Sequence, residues 1–160
     1  MVIETDRFGE IDLADKKVIE FPGGLPGFEE LNQFIILEVT ESKPLYWLQS
    51  IQDAYIALPV VIPFEFMDDY FIEIRDAELE ELEIENNGDL LVLNVVTVPE
   101  EVHSMTANLA APIIINTRTG VGRQIIIDAR ELPIRYPIFE LIIKKLKGGE
   151  ADAGSVAEEG

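Results

Sequence analysis

His103 is the only histidine of the chain, and histidine is the side chain whose ordinary pKa best suits proton transfer near neutrality. A hydrolytic pairing would set it against Ser104 or Ser50, yet neither serine sits in the G-x-S-x-G pattern that exposes a nucleophile. One histidine excludes His-pair metal motifs and most triads, and the absence of cysteine removes thiolate sites. His103 therefore reads as a surface-loop residue following Pro99-Glu100-Glu101. The remaining reactive groups are carboxylates. From Phe66 to Asp89 there are ten acidic residues and one basic, Arg75. Paired carboxylates do acid–base work only where burial drives their pKa values apart, and they hold calcium only where several oxygens converge. The spacing matches no calcium loop, so the stretch reads as a solvated acidic face. Gly120-Val121-Gly122 echoes a phosphate cradle, but no lysine or helix signal follows, and it reads as a turn. No cofactor, metal or catalytic residue is expected.

Two other stretches suggest binding rather than chemistry. "FPGGLPGFEE", Phe21 to Glu30, carries two prolines and three glycines. Prolines fix φ and glycines supply conformations that other residues avoid, so the stretch is turn chemistry first. Leu25 and Phe28 are large apolar groups for a loop, and they either cap a core or form a docking knob. In "PLYWLQSI", strand alternation sends one of Tyr46 and Trp47 inward and the other outward, where it would be an anchor.

These residues must be positioned mainly by strands. Runs of β-branched and aromatic residues bounded by turn chemistry occur at Lys17 to Phe21, Phe34 to Val39, Leu45 to Ile51, Ala54 to Val61, Tyr70 to Ile74, Leu90 to Val98, Ala111 to Thr117 and Gly122 to Asp128. The pattern predicts a mostly β fold, a compact antiparallel β-barrel-like or sandwich single domain with one or two short helices. Gln52-Asp53 and Thr119-Gly120-Val121-Gly122 read as hairpin connections. Pro59 and Pro112 fall inside strand runs, which predicts that those strands are edges. Asp76 is placed to cap a helix over Ala77 to Leu82 that ends by Asn86-Asn87-Gly88, and Pro137 to open a second through Lys147 with Ile138, Leu141 and Ile142 packed. The expected domain is 1–147. Residues 148–160, with Val156 their only large apolar group, predict a disordered acidic tail.

Composition narrows the partners. There are 31 acidic against 12 basic residues, a formal net charge of -19. Such a surface repels nucleic-acid phosphates and anionic membranes and attracts basic proteins through a field that salt weakens. No run approaches a membrane span and the N-terminus has no signal-peptide core, so a soluble cytoplasmic protein is expected, without direct nucleic-acid or membrane binding.

Four segments together resemble the flagellar assembly factor FliW family. They are FPGGLPGFEE, PLYWLQSIQD at Pro44 to Asp53, LNVVTVPEE at Leu93 to Glu101, and MTANLAAPIIINTRTGVGRQIII at Met105 to Ile127. They stand in the family's order, and the resemblance runs from Val2 to about Leu132. It implies a small, non-enzymatic β-barrel protein that binds flagellin before export. It also implies antagonism of the RNA-binding translational regulator CsrA, with the two partners competing. An RNA-binding regulator presents basic surface, so the acidic residues Asp68, Asp69, Glu73, Asp76, Glu78, Glu80 and Glu81 are the expected CsrA-binding set. The flagellin-binding set is expected from the loop Gly24, Leu25, Pro26, Gly27 and Phe28, with Tyr46, Trp47 and a polar edge at Asn108 and Asn116. A monomer is expected when free. The alternative is a barrel that binds a small molecule in its mouth; an enzyme built on acidic pairs and His103 ranks third.

Overall fold

The structure, a computed structural model, describes residues 1–68, 70, 72–127 and 132–146. Asp69 of the acidic set, the end of the predicted strand at Asp128, Lys147 at the predicted helix end, and the predicted tail 148–160 lie outside the described residues.

The apolar runs close into a ring of seven strands: β3 (Val18–Glu20), β4 (Gln33–Glu38), β5 (Tyr46–Ser50), β6 (Ala57–Val61), β7 (Leu90–Thr97), β9 (Ile113–Asn116) and β10 (Val121–Gln124). Their spatial order is β7-β6-β5-β4-β3-β10-β9, and pairing of β9 with β7 closes the barrel. Every contact in the ring is antiparallel except that of β10 with β3. Two short strands, β8 (Thr106–Ala107) and β11 (Tyr136–Pro137), extend outward from the end of β7. A hairpin of β1 (Val2–Thr5) and β2 (Gly9–Asp12) forms a separate two-stranded sheet.

Alternation along the strands sorts the apolar residues into three cores. Ile19, Phe21, Phe34, Leu48, Val60, Leu93, Ile113 and Ile115 fill the ring, all buried. The residues between them face outward and are nevertheless buried. Ile35, Leu37 and Trp47 pack under Ile3, Phe8 and Ile11 of the N-terminal hairpin and its turn. Val92, Val96 and Ile114 pack with Tyr70, Leu82, Ile138 and Ile142 from the helical side. Coverage on both faces explains why β9 reads as a continuous Ile run rather than as an alternation. A filled interior also weighs against a ligand-holding barrel mouth.

Several expectations change. Tyr70 to Ile74 forms no strand among its described residues. Its alternation still buries Tyr70, and partly Ile72 and Ile74, against the outer core, but β6 and β7 pair directly and leave it no ladder partner. Pro112 does not mark an edge, because β9 is paired on both sides and Ile125 N–H donates to the Pro112 carbonyl at 2.9 Å. Pro137 lies in β11 rather than opening a helix; the second helix, α2, runs over 139–146 with Ile138 and Ile142 buried.

The first helix, α1 (Asp76–Glu81), is preceded by Arg75 at the N-cap, so Asp76 sits in the first turn and does not cap. Its end is a Schellman motif: Ile84 N–H donates to Leu79 and Glu83 N–H to Glu80, with Glu83 at φ +55. Glycine is the usual residue there because a Cβ is strained in the left-handed region. Glu83→Gly is therefore expected to raise the unfolding free energy by about 0.5–1 kcal/mol in urea denaturation. A loss of stability would contradict this reading.

Candidate functional site

Pro22 to Glu30 fold back on themselves as a rigid plug. Gly24 N–H donates to the Phe21 carbonyl at 2.7 Å, Phe28 N–H to Leu25 at 2.7 Å, and Leu31 N–H to Phe28 at 3.0 Å. The Glu29 carboxylate accepts from Gly27 N–H at 2.9 Å, which holds its pKa below the usual carboxylate value. Leu25 is 3% exposed and joins the interior core, so it stoppers the barrel instead of facing solvent. Gly120-Val121-Gly122 belongs to the β9–β10 hairpin, the turn expected of it. Gly122 gives room to the Phe21 ring, whose Cε1 would lie 2.7 Å from any Cβ there.

Beside the plug the barrel has a seam. β6 and β7 are in register only at Val60 with Val95 and Val61 with Asn94; the end of β7, Val96 and Thr97, pairs with β8 along its opposite edge. The first half of β6, Ala57 to Pro59, thus has β5 on one side and, among the described residues, no strand on the other. Pro59 is an edge residue over this half alone, and its missing N–H suits the end of a ladder. The seam opens into a groove of about 320 Å³ floored by Leu25, Phe28, Leu58, Val95 and Ile113. Its rim carries Pro26, Thr97, Asn108, Gln124, Ile134 and Arg135. Ile134 and Arg135 are exposed. The groove therefore offers apolar depth, a polar rim and a guanidinium on a strongly acidic chain.

Of the nine residues expected to meet flagellin, four line this groove: Leu25, Pro26, Phe28 and Asn108. Gly24 and Gly27 shape the plug. Asn108 is half-buried, and its Oδ1 accepts from Ala110 and Ala111 N–H at 3.0 and 3.2 Å. Tyr46 faces the interior side, and its hydroxyl donates to Glu65 at 3.0 Å; burial, then Glu65, push the phenol up to about 12. Trp47 is the member of the pair that faces out of the barrel, but it is no exposed anchor. The N-terminal hairpin covers it, with Phe8 edge-on at 5.6 Å and the Arg7 guanidinium 4.5 Å over the ring. The expected polar edge at Asn116 is absent. Asn116 is fully buried, donating to the carbonyls of Leu82 and Glu83 and accepting from Arg118 and Thr119 N–H.

The acidic set divides in a similar way. Asp68, Glu73, Asp76 and Glu80 are exposed, as is Glu81, which pairs with Arg123. Glu78 is the exception, buried and bound to Arg75 at 2.8 Å, so it adds nothing to the outer field. Glu83 and Glu85, outside the expected set, are exposed beyond α1. His103 is exposed, its ring tilted by 59° against that of Phe139 with centroids 5.0 Å apart. Ser50 Oγ accepts from Gln52 and Asp53 N–H and serves the β5–β6 turn. No cluster of three or more His, Asp or Glu suited to a metal occurs among the described residues. No described helix is long and apolar enough to cross a membrane. The groove residues Leu58, Val95, Ile113, Gln124, Ile134 and Arg135 carried no signal in the sequence, because only the divergence of β6 from β7 brings them together.

Comparison with known proteins agrees with this architecture. The family model for the FliW protein matches residues 2–138. The chain is 38% identical over 161 residues to the flagellar assembly factor FliW of Alkaliphilus metalliredigens strain QYMF, covering 100% of this chain and 98% of the relative. It is 42% identical over 141 residues to that of Thermoanaerobacter pseudethanolicus, covering 88% and 94%. A crystal structure of the flagellar assembly factor FliW superposes with a TM-score of 0.80 at 31% identity, over 87% of this chain and 97% of that one. Motif order, barrel topology and these matches agree: the chain belongs to the FliW family of flagellar assembly factors.

Proposed function

We propose that this protein is a cytoplasmic, non-enzymatic binding factor, monomeric when free, that holds flagellin and antagonises a CsrA-type translational regulator by partner switching. The observation that carries the reading is the coexistence of two unlike surfaces on one filled barrel. One is the apolar groove beside the Phe21 to Glu30 plug. The other is the set of exposed carboxylates Asp68, Glu73, Asp76, Glu80, Glu81, Glu83 and Glu85. Flagellin is assigned to the groove, whose rigid walls cost little ordering entropy on binding. The regulator is assigned to the acidic face, because a basic RNA-binding surface is drawn to it while RNA is repelled.

Two sets of variants separate the surfaces in titration calorimetry with purified monomeric flagellin and with the regulator. Phe28→Ala, which removes an apolar wall that is only partly buried, is expected to weaken flagellin about 10- to 30-fold and to leave the regulator unchanged. Reversing Asp68, Glu73, Asp76 and Glu80 to lysine is expected to weaken the regulator about 10- to 100-fold at low salt, and less at high salt. Full flagellin binding by Phe28→Ala would remove the groove from the interface. Salt-independent regulator binding by the reversed variant would end the electrostatic account.

A further inference from the structure

Asn87-Gly88 is the only Asn-Gly pair in the chain. Both residues are exposed, on the 3-10 turn Asn87–Asp89 that leads into β7. An asparagine before glycine is chemically labile, since no side chain on the following residue hinders attack of its backbone nitrogen on the carboxamide carbon. Here that nitrogen is engaged: Gly88 N–H donates to Asn86 Oδ1 at 3.0 Å. To react, it must surrender the bonded proton and turn toward Asn87 Cγ, so the Asn86 side chain holds the nucleophile protonated and aimed elsewhere.

We propose that Asn87 is a site of spontaneous deamidation and that the Asn86 side chain sets its rate. The Gly88 nitrogen gives its proton to hydroxide and bonds to Asn87 Cγ, while the bond from Cγ to the side-chain nitrogen breaks and that nitrogen takes a proton from water, leaving as ammonia and regenerating the hydroxide. Water then opens the resulting succinimide at either carbonyl, giving aspartate or isoaspartate, with no change of oxidation state. Either product adds a carboxylate to an already acidic protein. Isoaspartate also lengthens the main chain by one methylene inside a turn that anchors three elements. Asp89 N–H donates to the Asn86 carbonyl at 3.1 Å, and the Asp89 carbonyl accepts from Thr117 N–H at 2.8 Å. The Asp89 carboxylate lies 3.6 Å from Arg118, whose guanidinium also donates to the Glu83 carbonyl at the end of α1. Isoaspartate at 87 therefore loosens the entry to β7, the β9–β10 hairpin and α1 together.

The test is to hold the full chain in mildly alkaline buffer at physiological temperature and follow residue 87 by peptide mapping and mass spectrometry. Native protein, the same chain unfolded in urea, Asn86→Ala and Asn86→Asp are compared. Native protein should convert more slowly than unfolded chain. Loss of one hydrogen bond should make Asn86→Ala about threefold to tenfold faster than native, while Asn86→Asp, which keeps an acceptor, stays near the native rate. Conversion of native protein as fast as the unfolded chain, or an Asn86→Ala rate equal to native, overturns the control by Asn86. Absence of product at 87 even in Asn86→Ala overturns the site itself.

Discussion

Gly24→Ala should lower the unfolding free energy by about 3 kcal/mol or more, combining left-handed strain of about 1 kcal/mol with overpacking against backbone that cannot yield. Gly24 has φ +74, and a Cβ there would lie 2.5 Å from the Phe28 carbonyl oxygen and 2.6 Å from Glu29 Cα. Both obstacles are main chain of the same plug, so relief requires the plug to open. Opening withdraws Leu25 from the interior core and removes the Phe28 wall of the groove. Gly23→Ala is the internal control. Its φ of +81 imposes similar strain, yet nothing lies within 4 Å of its Cβ, so only the strain of about 1 kcal/mol is expected. Urea denaturation followed by fluorescence of Trp47, the only tryptophan and a buried one, measures both. Equal costs for the two variants would mean that the plug accommodates a side chain at 24. Flagellin binding should fall with Gly24→Ala and persist with Gly23→Ala.

Asn116→Ala should cost about 2–4 kcal/mol, because it deletes a fully buried side chain that satisfies main-chain groups of two different segments. Its Nδ2 reaches the Leu82 and Glu83 carbonyls at 2.7 and 3.1 Å, just past α1. Its Oδ1 takes Arg118 and Thr119 N–H at 2.9 and 3.2 Å, within the β9–β10 turn. The carbonyls of a helix end have no partners within the helix, so Asn116 serves α1 as a remote C-terminal cap. The loss should appear locally before it appears globally: limited proteolysis is expected to cut near α1 in Asn116→Ala under conditions that leave the native chain whole. Regulator binding should weaken with it, since α1 carries Asp76 and Glu80. A variant with native stability would show that water can replace the amide at this site.

The two glycine-rich motifs carry their backbone conformation in their composition, but not the placement of their side chains. FPGGLPGFEE announced a preorganised turn, and its backbone is one; nothing in its composition said that Leu25 points into the barrel while Phe28 borders a groove. The β9–β10 hairpin was legible from Thr119-Gly120-Val121-Gly122, but the reason for Gly122, contact with Phe21 across the barrel, was not. The N-terminal hairpin was not legible because its strands, Val2–Thr5 and Gly9–Asp12, are only four residues each with few apolar residues, and they pair only with each other.

By itself, the sequence determined the fold class, seven of the strands, the acidic character and the family, because strand runs, turn residues and charge are local properties that survive in one dimension. Tertiary structure decided which outward faces are covered. Alternation could send one of Tyr46 and Trp47 outside the ring but neither say which nor foresee the hairpin over Trp47; spacing could put Glu78 on α1 but not bury it with Arg75; and Asn116 looked polar and available until α1 and the β9–β10 turn closed around it. The groove belongs to the same class, arising only because β6 and β7 part company after two residue pairs. Such coverage depends on long-range packing, where elements distant in sequence compete for one apolar face, and no local pattern records which of them arrives.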